Sequence, residues 1–285
     1  MRADIEHLRD WVGKTETATD TLHSGQLASL AATLDRDELN PQPGDLVPPA
    51  GHWIYFTPRP KASEIGPDGH AKRGGFLPPV DLPRRMWAGG RMRWPGALRV
   101  GDPVTRTSTI AEVNHKSGKS GELVFVLVKH TIAGPDGVCV EEEHDIVFRS
   151  APDPDAPSPL AKAAPTDAIW SRIIEPNPVL LFRYSALTFN GHRIHYDLAY
   201  VTEEEGYPGL IVHGPLIATL LMDLCWREQP ERRLVRFDYR AMSPLFHIAP
   251  FTVNGRLDDH GKTAQLWAAD ADGGLAMQAE AEFAD

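Results

Sequence analysis

Residues 209–227 read GLIVHGPLIATLLMDLCWR, and this stretch decides the fold. Gly214 and Pro215 open a helix, since proline is pre-set for the first helical turn and needs no N–H there. Ile217, Leu220, Leu221 and Leu224 then form one stripe, with Leu216 and Met222 beside it. A helix that is apolar nearly all round belongs in an interior, so a sheet must wrap it.

The sheet is legible downstream. Residues 234–242, 249–257, 263–269 and 275–283 read as strands, and Asp270-Ala271-Asp272-Gly273-Gly274 is a turn. The same plan occurs earlier. A helix follows Ser24, a candidate N-cap, with Leu27, Leu30, Ala31 and Leu34 on one side, and it stops before Asn40-Pro41. A shorter helical pattern holds Ile5, Leu8, Trp11 and Val12. Residues 104–113, 121–132 and 138–148 are strand-like, with Gly134-Pro135-Asp136-Gly137 as a turn. His52 to Phe56 reads as a short strand inside a Pro- and Gly-rich loop over 41–80, and residues 178–205 read as helical. Helix before antiparallel strands, twice, indicates an α+β chain of two domains, 1–150 and 166–285. The linker, 151–165, is rich in Pro and Ala.

Composition narrows the function. The 285 residues carry a formal net charge of −10, which disfavours a nucleic-acid partner. Cys139 and Cys225 form neither a disulfide framework nor a zinc pattern, which fits a reducing compartment. The N-terminal 14 residues lack the apolar stretch of a secretory signal, and the most apolar run is too short to span a bilayer. The expectation is a soluble cytoplasmic protein. Residues 113–120 end in Gly-Lys-Ser, but Val113 stands where a phosphate loop needs its first glycine. His192 and His195 lack the third ligand of a zinc site, so no metal is expected.

The densest polar constellation is Asn190, His192, His195 and Asp197, just before Gly214. The free N–H groups at a helix start can hold a developing oxyanion, as thioester enolate chemistry requires. The run Asn190-Gly191-His192-Arg193-Ile194-His195-Tyr196-Asp197, followed by Gly209-Leu210-Ile211-Val212-His213-Gly214-Pro215-Leu216, resembles the MaoC-like (R)-specific enoyl-CoA hydratases of the hot-dog fold. There a D-x-N-P-x-H segment carries the catalytic pair and a V-H-G-x-L segment opens the central helix. Arg84-Arg85 and Trp87-Ala88-Gly89-Gly90 resemble the N-terminal hot dog of two-domain dehydratases related to fatty acid synthase. Over nearly the whole chain, the likeness is to the two-domain group of mesaconyl-CoA and itaconyl-CoA hydratases and mitochondrial-type 3-hydroxyacyl-thioester dehydratases.

The resemblance implies a tandem pair of hot dogs. Each is a long central helix wrapped by an antiparallel sheet, and the first has lost its catalytic residues. It implies His195 as the acid–base group and the Gly214 N–H as the oxyanion donor. The family's catalytic Asp falls on Asn190, and its Asn on His192. An amide is no base. Either His195 acts alone while Asn190 positions water, or His192 takes part. Arg84, Arg85 and Arg91, with Arg93, are a solvated basic face or the site for a CoA phosphate or substrate carboxylate. His213 either meets the substrate or orients its turn. Asp197 reads as a helix cap, Asp223 as a paired or solvent-leaning residue, Glu203 to Glu205 as a solvated helix end, and Glu141 to Glu143 as an exposed strand edge.

The implied activity is hydration of mesaconyl-CoA or itaconyl-CoA to citramalyl-CoA, with coenzyme A as part of the substrate and no other cofactor. A homodimer is expected. The alternatives are an (R)-3-hydroxyacyl-thioester dehydratase of fatty acid metabolism, or a non-catalytic acyl-CoA-binding protein.

Overall fold

The computed structural model describes residues 6–37, 40–118, 121–150 and 160–284. The strands are β1 (Thr15–Thr21), β2 (Arg84–Arg93), β3 (Pro103–Gly118), β4 (Gly121–Gly134), β5 (Gly137–Arg149), β6 (Trp170–Ile174), β7 (Leu234–Ala241), β8 (Phe251–Leu257), β9 (Thr263–Ala269) and β10 (Leu275–Phe283). They form one sheet in the order β1-β3-β4-β5-β2-β7-β10-β9-β8-β6, with every neighbour antiparallel. The order is palindromic. Each run of five strands has the same internal order, and the runs meet where β2 pairs with β7 from Gly89↔Arg240 to Arg93↔Arg236.

The helices fill this sheet unequally. They are α1 (Ser24–Thr33), α2 (Pro178–Thr188) and α3 (Gly214–Glu228). Every residue from Leu216 to Cys225 on α3 is buried, as its all-round apolar sequence demands. Full burial of one Leu or Ile side chain contributes about 1.5–3 kcal/mol, so this helix is a principal source of stability. Its one buried charge, Asp223, is bound to Arg36 Nη1 at 3.1 Å, Arg172 Nη1 at 3.2 Å and Arg227 Nε at 2.7 Å. That cluster ties α3 to the end of α1 and to β6.

Several expectations need correction. Residues 52–56 are not a strand; Gly51–Ile54 is a 3₁₀ turn, flanked by left-handed Ala50 and Phe56. The helix expected over 178–205 is broken. α2 stops at Thr188 because Phe189 is left-handed (φ 51), and a 3₁₀ turn at Arg193–His195 and a π-helical turn at Tyr200–Glu204 follow. Glu141 to Glu143 are not on an exposed edge, because β5 lies between β4 and β2. Glu142 is buried and bound to Trp53 Nε1 (2.7 Å), His52 Nε2 (3.1 Å) and His144 Nε2 (2.5 Å). Burial alone would raise its carboxyl; the two histidines outweigh that and hold it well below the carboxylate range. Most of the expected linker, 151–159, lies outside the described residues, as do residues 1–5 of the first helical pattern and Lys119 and Ser120 of the Gly-Lys-Ser run.

β2 was hidden in the sequence by its arginines and glycines, yet it holds the centre of the sheet. Gly90 has a steric reason: a Cβ there would fall 2.3 Å from Tyr239 Oη and 2.4 Å from the Glu143 carbonyl oxygen.

Candidate active site

The end of α2 aims the motif. Asn177 caps α2 by accepting from Leu180 N at 3.0 Å. After left-handed Phe189, the Asn190 N–H returns to Ser185 O at 2.8 Å, and Asn190 Oδ1 accepts from His192 N at 3.0 Å. This Asx turn directs the chain into the 3₁₀ turn that carries His195 inward. Asp197 closes the segment by accepting from Tyr200 N (3.1 Å) and binding Arg193, a structural role.

His195 is buried, and its Nδ1 lies 2.8 Å from the Ile211 carbonyl oxygen. A carbonyl only accepts, so Nδ1 carries the hydrogen and Nε2 keeps the lone pair. Burial pushes the imidazole down to about 4, against the Ile211 bond, so the ring is neutral and basic at Nε2 near pH 7. His213 stacks on it, centroids 3.6 Å apart and planes 18° apart. His213 is fully enclosed behind His195, with Nε2 2.7 Å from Ser185 Oγ. Burial pushes it far below its ordinary range, and a protonated His195 would push it lower still. Gly214 follows at the start of α3, with the ring of Trp87 3.2 Å from the place a Cβ would take. The first-turn N–H groups of α3 have no partner inside the helix, and Pro215 has no N–H at all.

Sequence reasoning missed a second part of the site. The loop at Gly66 to His70 docks on the motif: Arg193 N donates to Asp68 O (2.9 Å) and Arg193 Nη1 to Pro67 O (3.0 Å). Gly69 is essential to that approach, since a Cβ there would lie 1.8 Å from Gly191 O. Asp68 Oδ2 lies 3.0 Å from His70 Nδ1, the His70 ring is 4.0 Å from His192, and His192 is 5.5 Å from His195. Burial lowers both His70 and His192. The Asp68-Gly69-His70 turn was readable in the sequence, but its partner lies more than a hundred residues away. One donor atom from each of Asp68, His70 and His192 lies within 4.8 Å of the others, close enough to hold a cation. The positive charge of Arg85 acts on the same histidines and disfavours that occupant.

The arginines of β2 differ in their partners. Arg84 binds Glu205 and stacks on Tyr207, so Glu205 belongs to an ion pair rather than to a solvated helix end. Arg91 is bound to Glu143 and bidentate to Asp145. Arg93 is bound to Asp238. The Arg85 side chain has no hydrogen bond or ion pair among the described residues, although it is only partly exposed.

A neutral imidazole base beside a helix N-terminus is equipped for proton transfer next to a developing oxyanion, the chemistry of hydro-lyases on thioesters. The comparisons agree. Residues 50–247 match the family described as hydroxyacyl-thioester dehydratase type 2. The chain belongs to that family and is a hydro-lyase of the acyl-thioester class. It is 46% identical over 275 residues to the mesaconyl-C(4)-CoA hydratase of Chloroflexus aurantiacus, covering 96% of both chains. Among solved structures, a MaoC-like dehydratase from Phytophthora capsici superposes with a TM-score of 0.65 at 12% identity, covering 99% of both chains. A Mycobacterium tuberculosis protein with a double hot-dog fold gives a TM-score of 0.57 at 14% identity, covering 96% of both. The fold is the double hot dog, and among the described residues no helix is long and apolar enough to cross a bilayer.

Proposed function

We propose that the protein hydrates a short branched dicarboxylic enoyl-CoA, with mesaconyl-C(4)-CoA as first substrate, itaconyl-CoA as second candidate, and citramalyl-CoA as product. The observation that carries the chemistry is the 2.8 Å bond from His195 Nδ1 to Ile211 O, which leaves Nε2 as the base. The near-full-length likeness to a hydratase of that thioester supports the substrate.

With mesaconyl-C(4)-CoA, an α,β-enoyl thioester, His195 Nε2 takes a proton from water as the water oxygen bonds to the carbon β to the thioester. The π pair moves toward the thioester, and the Gly214 N–H together with the positive end of α3 holds the enolate oxygen. His195 then returns its proton to the α carbon. Water is consumed, both carbons are satisfied, and the histidine ends neutral. Asn190 has its Oδ1 engaged by His192 N, so its amide N–H groups are what it offers the water. His213 holds the His195 ring from behind. The step calls for no metal or redox cofactor, and coenzyme A enters as part of the substrate. In this reading the protein is cytoplasmic and a homodimer.

The test is loss of enoyl-thioester absorbance with mesaconyl-C(4)-CoA, itaconyl-CoA and crotonyl-CoA side by side. Preference for the diacids supports this reading. Preference for crotonyl-CoA or longer chains moves the protein to the fatty acyl dehydratase reading that the family description favours. His195→Ala abolishes turnover and leaves CoA-thioester binding intact. Retained turnover in that variant overturns the mechanism, and no turnover by the wild type makes a binding role the better account.

A further inference from the structure

Buried charges are ordinarily paired, because removing a charge from water is costly without a partner. β2 carries four arginines, all partly exposed, and three of them are paired. Arg84, Arg91 and Arg93 each hold a carboxylate of the protein; Arg85 holds none among the described residues. Alternation along the strand puts Arg85 on the face of Trp87, with Met86 exposed on the other. Trp87 packs against Gly214 at the head of α3, so Arg85 is one pleat from the catalytic end of that helix. Its backbone partner across the sheet is Phe148, and the guanidinium of Arg73 lies over the Phe148 ring at 5.7 Å. Among the described residues Arg73 is hydrogen-bonded only to the neutral carbonyls of Val80 and Pro83. Two guanidiniums therefore share this corner. The nearby carboxylate, Asp68, is already bound to His70. The charge of Arg85 acts on His70 and His192, and the His192 ring lies 5.5 Å from that of His195.

We propose that Arg85 receives the free carboxylate of the acyl chain and so makes the site selective for dicarboxylic enoyl thioesters. The guanidinium offers a two-pronged donor set that a carboxylate matches, and a bound diacid supplies the counter-charge that the protein withholds. This inference rests on the hydratase reading above. The same guanidinium chemistry would also suit a coenzyme A phosphate, so the test must separate the two anions.

Crotonyl-CoA does so, because it carries every phosphate of the cofactor and no acyl carboxylate. Arg85→Gln and Arg85→Lys are assayed on mesaconyl-C(4)-CoA and crotonyl-CoA. The expected result is a loss of about 10²-fold in kcat/KM on the diacid for Arg85→Gln, with crotonyl-CoA changed by less than about threefold. Arg85→Lys keeps the charge and recovers part of the diacid activity. Equal loss on both thioesters overturns the proposal in favour of phosphate binding or a structural role. Unchanged diacid preference in Arg85→Gln overturns it and leaves the hydratase reading standing. Absence of diacid preference in the wild type is read before any variant is made, and it overturns the substrate reading together with this inference.

Discussion

Acidification from about pH 7.5 to about pH 5 is the most direct probe of the His195 environment. The ring works as a base, so the neutral form is the active one. Its ordinary pKa is about 6.5, and burial pulls it down to about 4. At pH 5 a group with the lowered value is about nine-tenths neutral, whereas an unshifted histidine would be only about 3% neutral. The structure therefore predicts kcat/KM at pH 5 close to its value at pH 7.5. An unperturbed ring predicts a fall of about 30-fold. The same shift bears on stability. A histidine kept neutral by the fold contributes its full stability above its unfolded pKa, and that contribution is lost as pH falls from about 6.5 toward about 4. For His195 the loss amounts to about 3 kcal/mol over that window. Far-UV circular dichroism at each pH separates unfolding from titration of the base. The assay is initial-rate enoyl-thioester hydration across pH 4.5 to 8, fitted for the acid limb of both kcat and kcat/KM. An acid limb with a midpoint near 6.5 in a fully folded sample refutes the assigned environment of His195.

Three further outcomes follow from single contacts. Asp223→Asn leaves Arg36, Arg172 and Arg227 around an uncharged group and costs about 3–5 kcal/mol, read as a lower urea midpoint with an unchanged slope. Gly69→Ala forces the Gly66 to His70 loop off Gly191 and strains a backbone at φ +89°, so the displaced motif loses about 10²-fold in kcat and the urea midpoint falls. Ser185→Ala strips the buried His213 Nε2 of its partner and costs about 1–3 kcal/mol in thermal unfolding; an unchanged melting temperature shows that this bond is not needed to hold the stacked imidazoles.

The elements legible in the sequence were those with strong local patterns. α3 and strands β4, β5 and β7 to β10 appeared within about two residues of their true bounds, because apolar periodicity reports burial directly, whereas β3 was read as ending at Val113 and runs on to Gly118. β1 and β6 were missed. Both are edge strands of mixed polarity, TETATDT and WSRII, whose short alternation carries little signal. β2 was missed for the opposite reason: it is central, but its side chains meet carboxylates and the packed glycine corner rather than plain apolar neighbours. Asn190 was legible as a residue in place of a carboxylate; that its Oδ1 is engaged by His192 N was not.

By itself the sequence determined the α+β class, the buried helix at Gly214, and the motif ending in His195, since each rests on residues within a turn or two of one another. The tertiary structure alone decided which tautomer His195 adopts, because the carbonyl that selects it sits on Ile211, sixteen residues away. It alone brought Asp68 and His70 against His192, and it alone showed which of the four arginines of β2 lacks a carboxylate partner. A chain sequence records where charges are, but their pairing depends on distances that exist only once strands far apart in sequence lie side by side.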